Sequence, residues 1–212
     1  MLMNSPLHIS RKEAGLSMIE VLVTLVILMV GLLGLAGLQM QGLRSEMESY
    51  QRVQALVILQ DMAARINASR GNRNQAGCSA VTNLVQRNAC EWAAITASVQ
   101  AYIDDDIGVG TMTGCTASSQ AHDKCAWGDA LKGAGETEAG GASVGAMIGG
   151  RGCIRQVSAN ANQITLEISV AWQGMGKSFQ AEDTCGKGKY GSDDTLRRVV
   201  SLTTRIANLG AP

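Results

Sequence analysis

From Val21 to Leu38 the chain carries one polar side chain, Thr24, and no charge appears between Glu20 and Arg44. Such a run is a candidate membrane-crossing helix, because about 20 residues at about 1.5 Å rise span a hydrocarbon core of about 30 Å. Glu20, at the mouth of the run, is the anomaly. An ionisable group at the edge of a spanning segment costs on the order of 3 kcal/mol unless something neutralises it, which marks it as functional.

Residues 1–15 are polar and include Arg11, Lys12 and Glu13, and the positive charges hold this end on the cytoplasmic side. Secretory signals place their cut after the apolar core, at a small-x-small site. Gly34-Leu35-Ala36 fits such a site, so a conventional signal peptide is one alternative, and an uncleaved anchor is another. Neither accounts for Glu20. The other small residue in a cleavable position, Gly15, stands before the run.

Gly15-Leu16-Ser17-Met18-Ile19-Glu20, with the apolar stretch behind it, resembles the type IV prepilin family. The resemblance implies that a prepilin peptidase/methyltransferase removes a leader at 1–15 after Gly15 and N-methylates Leu16. Glu20 matches the glutamate five residues past the cut. Leu16 departs from the commoner phenylalanine but keeps its apolar bulk. The new ammonium group at Leu16 is then the cation that Glu20 lacks, supplied within one helix or by a neighbouring subunit. The intermolecular pairing is favoured, since it couples extraction from the membrane to axial register.

Beyond Leu43 the pattern turns amphipathic: Met47, Tyr50, Val53, Leu56, Leu59, Ala63 and Ile66 recur every three or four residues and predict one buried face. Gly71 after Arg70 reads as a stop, with Arg65 and Arg70 favourable at the negative helix end. The expectation is a single helix of about 53 residues, roughly 80 Å long, with a transmembrane/assembly half at 16–43 and an amphipathic half at 44–70. Gly31, Gly34, Gly37 and Gly42 permit either close helix approach or local bending, and glycine is also simply tolerated in membrane helices.

The remainder divides at about residue 152. In 71–152, Trp92, Ile95, Val99 and Tyr102 predict a helix from about Ala89 to Asp104, with Asp104, Asp105 and Asp106 as its solvated end. That acidic run lacks the alternating oxygen ligands of a calcium loop. The glycine-laden tract from Lys132 to Gly152 predicts a loop and contains no phosphate-binding G-x-x-x-x-G-K-[ST] motif. In 153–212, Ile164, Leu166, Ile168, Val170 and Trp172 alternate with polar or small residues, Ile154–Val157 precede them across a turn, and Val200, Leu202, Thr204 and Ile206 mark a further strand. The predicted class is α+β, a long N-terminal helix packed on an antiparallel sheet of about four strands, one face buried and the other wet.

All six cysteines, Cys78, Cys90, Cys115, Cys125, Cys153 and Cys185, follow the apolar run, in the segment that Arg11 and Lys12 send to the oxidising periplasm. Six cysteines allow fifteen pairings. Local pairing is preferred, Cys78 with Cys90 and Cys115 with Cys125, which leaves Cys153 to pin Cys185 in the loop before the last strand. No C-x-x-C occurs, and past residue 15 the sole histidine is His122, so structural zinc spacing is missing and no metal or other cofactor is expected. His122 beside Asp123 is a poor basis for a Ser/His/Asp site and reads as a solvated helix histidine, so an enzyme is not expected. Removing Arg11, Lys12 and Glu13 from 18 side chains of each sign leaves 16 basic and 17 acidic, which gives no electrostatic footprint for nucleic acid.

Gly145-Ala146-Met147-Ile148-Gly149, Arg151-Gly152-Cys153-Ile154, Cys185–Gly191 and Arg197-Arg198-Val199-Val200 resemble the minor-pilin branch of that family. The branch implies pilus assembly or priming at the fibre tip, adhesion and twitching motility. Its implied partners are other minor pilins, the major pilin, a pilus tip adhesin and the inner-membrane assembly platform. Insertion would be single-pass in the inner membrane with a periplasmic C-terminal region, followed by export into the fibre. A type II secretion pseudopilin shares every N-terminal feature. A DNA- or ligand-binding pilin would need a basic strip, for which Lys177, Lys187, Lys189, Arg197 and Arg198 are the candidates, with Asp183, Asp193 and Asp194 interleaved.

Overall fold

The computed structural model describes residues 15, 17–69, 77–110, 112–134, 139 and 147–210. Helix α1, Met18–Ser69, runs unbroken through Gly31, Gly34, Gly37 and Gly42, so none of these glycines melts it. A Cβ added at any of the four would meet nothing within 4 Å. The expected stop at Arg70-Gly71 lies outside the described residues. The chain separates into two compact units, residues 1–45 and residues 46–212. In the first, every described side chain is exposed.

Within the second unit, α1 buries Gln51, Ala55, Ile58, Leu59, Met62, Ala63 and Ile66. This corrects the predicted face. Leu59, Ala63 and Ile66 are inside, whereas Met47, Tyr50, Val53 and Leu56 are exposed by 40–59%. Small Ala55 lies in the core cluster with the sheet's apolar residues and Gln51 is buried, while the bulkier row is exposed. Periodicity alone did not separate two apolar rows on one helix.

Helix α2, Leu84–Gln100, begins earlier than expected because the Asn83 side chain accepts from the Val85 and Gln86 amides at 3.0 and 3.2 Å. Val99 and Tyr102 are buried, with Trp92 and Ile95 packed against the same core. The acidic run is no helix end. Asp104–Ile107 is strand β1, stabilised because Lys124, Arg151 and Arg155 each take one of its three carboxylates and Ile107 enters the core. Helix α3, Ser119–Leu131, follows with Ser118 as its cap, the hydroxyl accepting from the Ala121 amide at 3.1 Å.

Strands β2 (Arg151–Ala159), β3 (Gln163–Gln173) and β4 (Arg197–Ala207) complete an antiparallel sheet of order β1-β2-β3-β4. The sheet therefore draws its first strand from the middle region, and β2 begins inside the predicted glycine loop. Gly152 belongs there because a Cβ would run into the Trp127 ring. The β2–β3 turn is closed by Asn160, whose side chain accepts from the Asn162 and Gln163 amides at 2.9 and 2.8 Å. Ile154, Ile164, Leu166, Ile168, Val170, Trp172 and Ile206 pack with the buried row of α1, and Trp127 donates its indole N–H to the Ile58 carbonyl at 2.8 Å. The other face is only partly wet, because the β3–β4 connection folds back over it. Cys153, Ala171, Cys185 and Tyr190 form a second cluster there.

Candidate processing and assembly site

The N-terminal site is built by the start of α1. Gly15 is exposed in extended chain, and Leu16 lies outside the described residues. Ser17 closes the first turn, its carbonyl accepting from the Glu20 and Val21 amides at 2.9 and 3.3 Å. Glu20 is thus in the first turn, where the free amides and the helix dipole favour negative charge. The spacing Ser17-x-x-Glu20 also fits a capping box. The position of Glu20 in the first turn thus suits a carboxylate without any second chain, and its side chain is exposed.

Thr24, the lone polar residue of the run, donates its hydroxyl to the Val21 carbonyl at 2.8 Å, which satisfies the group within the helix as a lipid environment requires. Around it Leu22, Ile27, Leu28, Val30, Leu32 and Leu33 are exposed by 60–77%. A contiguous apolar surface of this kind needs lipid or another chain to cover it, and α1 is long and apolar enough to cross a membrane.

The cysteines form three bonds: Cys78–Cys90, Cys115–Cys125 and Cys153–Cys185. The first ties a short 3-10 turn to α2, the second fastens the approach to α3, and the third pins the β3–β4 connection to β2. That connection is further held by Arg197, buried to 2% exposure. Its guanidinium pairs with Asp194 at 2.7 Å and donates to the carbonyls of Ala181, Asp183 and Cys185. The Asp183 carboxylate accepts from Ser169, from Arg155 and from the Cys185 amide. Burial would push its pKa up, but the Ser169, Cys185 and Arg155 bonds prevail and hold it below the ordinary carboxylate value. Tyr190 donates to the Gly149 carbonyl at 2.6 Å and also lies 3.1 Å from that of Ala171; burial pushes its pKa up to about 12.

The remaining candidates are dispersed or engaged. His122 is exposed on α3, and its neighbour Asp123 accepts from the Tyr102 hydroxyl and from Arg65. No three His, Cys, Asp or Glu side chains among the described residues converge as metal donors. Of the proposed basic strip, Arg197 is buried, Arg198 pairs with Glu48 at 2.5 Å and Lys177 pairs with Asp193 at 3.1 Å. Lys187 and Lys189 are exposed, and two lysines do not make a strip. The Asp183–Arg197 lock on the β3–β4 connection was not foreseen. An arginine entering a β-strand next to alternating apolar residues is the signal that marks it.

A long apolar N-terminal helix packed through its second half on a four-stranded antiparallel sheet is the pilin-like α+β architecture. Residues 10–36 match the prokaryotic N-terminal methylation motif, a span that holds Arg11, Lys12, Gly15, Leu16, Glu20 and most of the apolar run. No curated protein and no solved structure matches the chain. The motif and the architecture together support a type IV pilin- or pseudopilin-like protein. They imply prepilin-peptidase processing, membrane anchoring and assembly with other pilins.

Proposed function

We propose that this chain is a minor pilin of the type IV pilus, of the kind called PilV or type IV pilus modification protein. It acts in assembly or priming at the fibre tip and contributes to adhesion and twitching motility. In this reading Met1–Gly15 is the leader, cleavage falls between Gly15 and Leu16, and Leu16 carries the N-methyl group. Glu20 receives the amine of a neighbouring subunit. Its partners are other minor pilins, the major pilin, a tip adhesin and the inner-membrane assembly platform, with the 46–212 unit first in the periplasm and then on the fibre. The observation that carries the reading is the methylation motif at 10–36 joined to a helix whose first half is exposed on every side.

Intact mass and N-terminal analysis of the protein from the cell envelope tests it. The expected start is methylated Leu16. A start near Gly37, as a conventional signal peptidase would leave, or retention of Met1, rejects the processing. A type II secretion pseudopilin shares the motif and the helix, so co-purification separates the two readings: minor pilins and a tip adhesin for one, secretion components for the other.

A further inference from the structure

The sheet has two edges, and the fold treats them differently. β1 is four residues long, shifts register between Asp104 and Ile107, and carries three carboxylates, one of which accepts from its own strand's Asp106 amide at 3.3 Å. Short length, irregular register and charge are the devices that keep an edge from recruiting another strand. β4 is longer and regular, and its charges lie only toward its ends, at Arg197, Arg198 and Arg205. It pairs with β3 over 11 residues without a register shift, contains neither proline nor glycine, and is uncharged from Val199 to Thr204.

The ladder's alternation shows which groups of β4 are free. Asn208 donates to the Asn162 carbonyl at 2.7 Å and Gly174 donates to the Leu196 carbonyl at 2.8 Å, both on the register of the β3–β4 pairing. In an antiparallel ladder, residues that exchange bonds alternate with residues that do not. Even-numbered residues of β4 therefore face β3, and Val199, Ser201, Thr203 and Arg205 turn N–H and C=O to the open side. Just before β4 that side is taken, because the Thr195 carbonyl accepts from the Ser178 amide at 2.8 Å. From Val199 to Arg205 no hydrogen bond from the described residues reaches it, and Ser201, Thr203 and Arg205 are exposed.

We infer that the open edge from Val199 to Arg205 receives an extended segment of a different protein chain, a β-strand bearing a carboxylate opposite Arg205. A row of main-chain donors and acceptors at strand spacing is complementary to extended backbone. The charge follows from what is already neutralised: Arg197 has Asp194 and Arg198 has Glu48, whereas Arg205 forms no ion pair among the described residues, Glu167 across from Thr203 included. A second copy is a poor occupant. β4 offers three arginines and no acid, and the carboxylates of β1 are held by Lys124, Arg151 and Arg155. Phe179 is 97% exposed, next in sequence to the Ser178 that bonds Thr195 and Arg198, and it offers apolar contact at the Val199 end.

The test titrates the full chain in detergent micelles with labelled seven-residue peptides of alternating valine and threonine, with a glutamate or a lysine at both ends, so that either strand direction sets a charge opposite Arg205. The glutamate peptide should bind saturably and about fivefold more tightly than the lysine peptide, since opposed charges attract across a strand pair and like charges repel. Ser201→Pro removes an outward amide and leaves the β3 ladder whole, so it should weaken binding about tenfold with an unchanged Tm. Arg205→Glu should reverse the peptide preference, which keeps the test decisive should Ser201→Pro unfold the chain. Equal binding of the two peptides overturns the inference. So do no saturation up to millimolar peptide, full binding by a folded Ser201→Pro variant, or a β4–β4 homodimer that excludes the peptide. None of these outcomes depends on where the mature N-terminus lies.

Discussion

Glu20 occupies the first helical turn, where the helix dipole favours a carboxylate, and the proposed function gives the same carboxylate a second use as partner of a neighbouring amine. The two uses separate by experiment. Glu20→Ala should leave leader removal intact and abolish incorporation into fibres, measured by mass spectrometry of the envelope form and immunodetection in sheared pili. Normal incorporation would limit Glu20 to capping. Among the groups of residues 46–212, Asp183 bears on the acid limit, and Tyr190 bears on the alkaline one together with Tyr102, which burial and its bond to Asp123 also raise. Asp183 is held below the ordinary carboxylate value, so its contribution is present above about pH 4 and is lost as pH falls through its lowered pKa. Tyr190 is raised, so stability falls as pH rises from about 10, the unfolded value, through about 12. Thermal melts across pH should show both limbs, and Asp183→Asn should flatten the acid one.

The elements differ in how openly the sequence declares them. β3 and β4 were legible because strict alternation has one structural meaning, and the first half of α1 because nothing but lipid or another chain accepts it. β1 was not, since three aspartates argue against a strand until Lys124, Arg151 and Arg155, distant in sequence, are known to meet them. The buried row of α1 was half legible: Gln51 and Ala55 look unsuited to a core, and which of two rows turns inward is a tertiary fact. Close packing is explicit at Gly152, against which the Trp127 ring lies. Gly152→Ala should cost about 3 kcal/mol by overpacking, read as a lowered denaturation midpoint. The Cys153–Cys185 bond closes a separation of 32 residues. Replacing both cysteines with serine should cost about 4 kcal/mol on a chain-entropy account, and the β3–β4 connection should become the first site of protease cleavage.

Across the whole molecule, the two compact units have opposite needs. Residues 46–212 carry their own core, their own disulfides and both sheet edges; residues 1–45 carry a surface that is exposed at every described residue. The prepilin-like motif that the family model matches at 10–36 was legible from six residues, whereas the open side of β4 was not, because an edge exists only once the order of strands is known. One detail of the larger unit bears on how such a chain can vary over time. Arg197 grips the main-chain oxygens of residues 181, 183 and 185, groups that every amino acid possesses. Substitutions among neighbouring surface positions can therefore rewrite what the connection displays while these three grips on its path are retained.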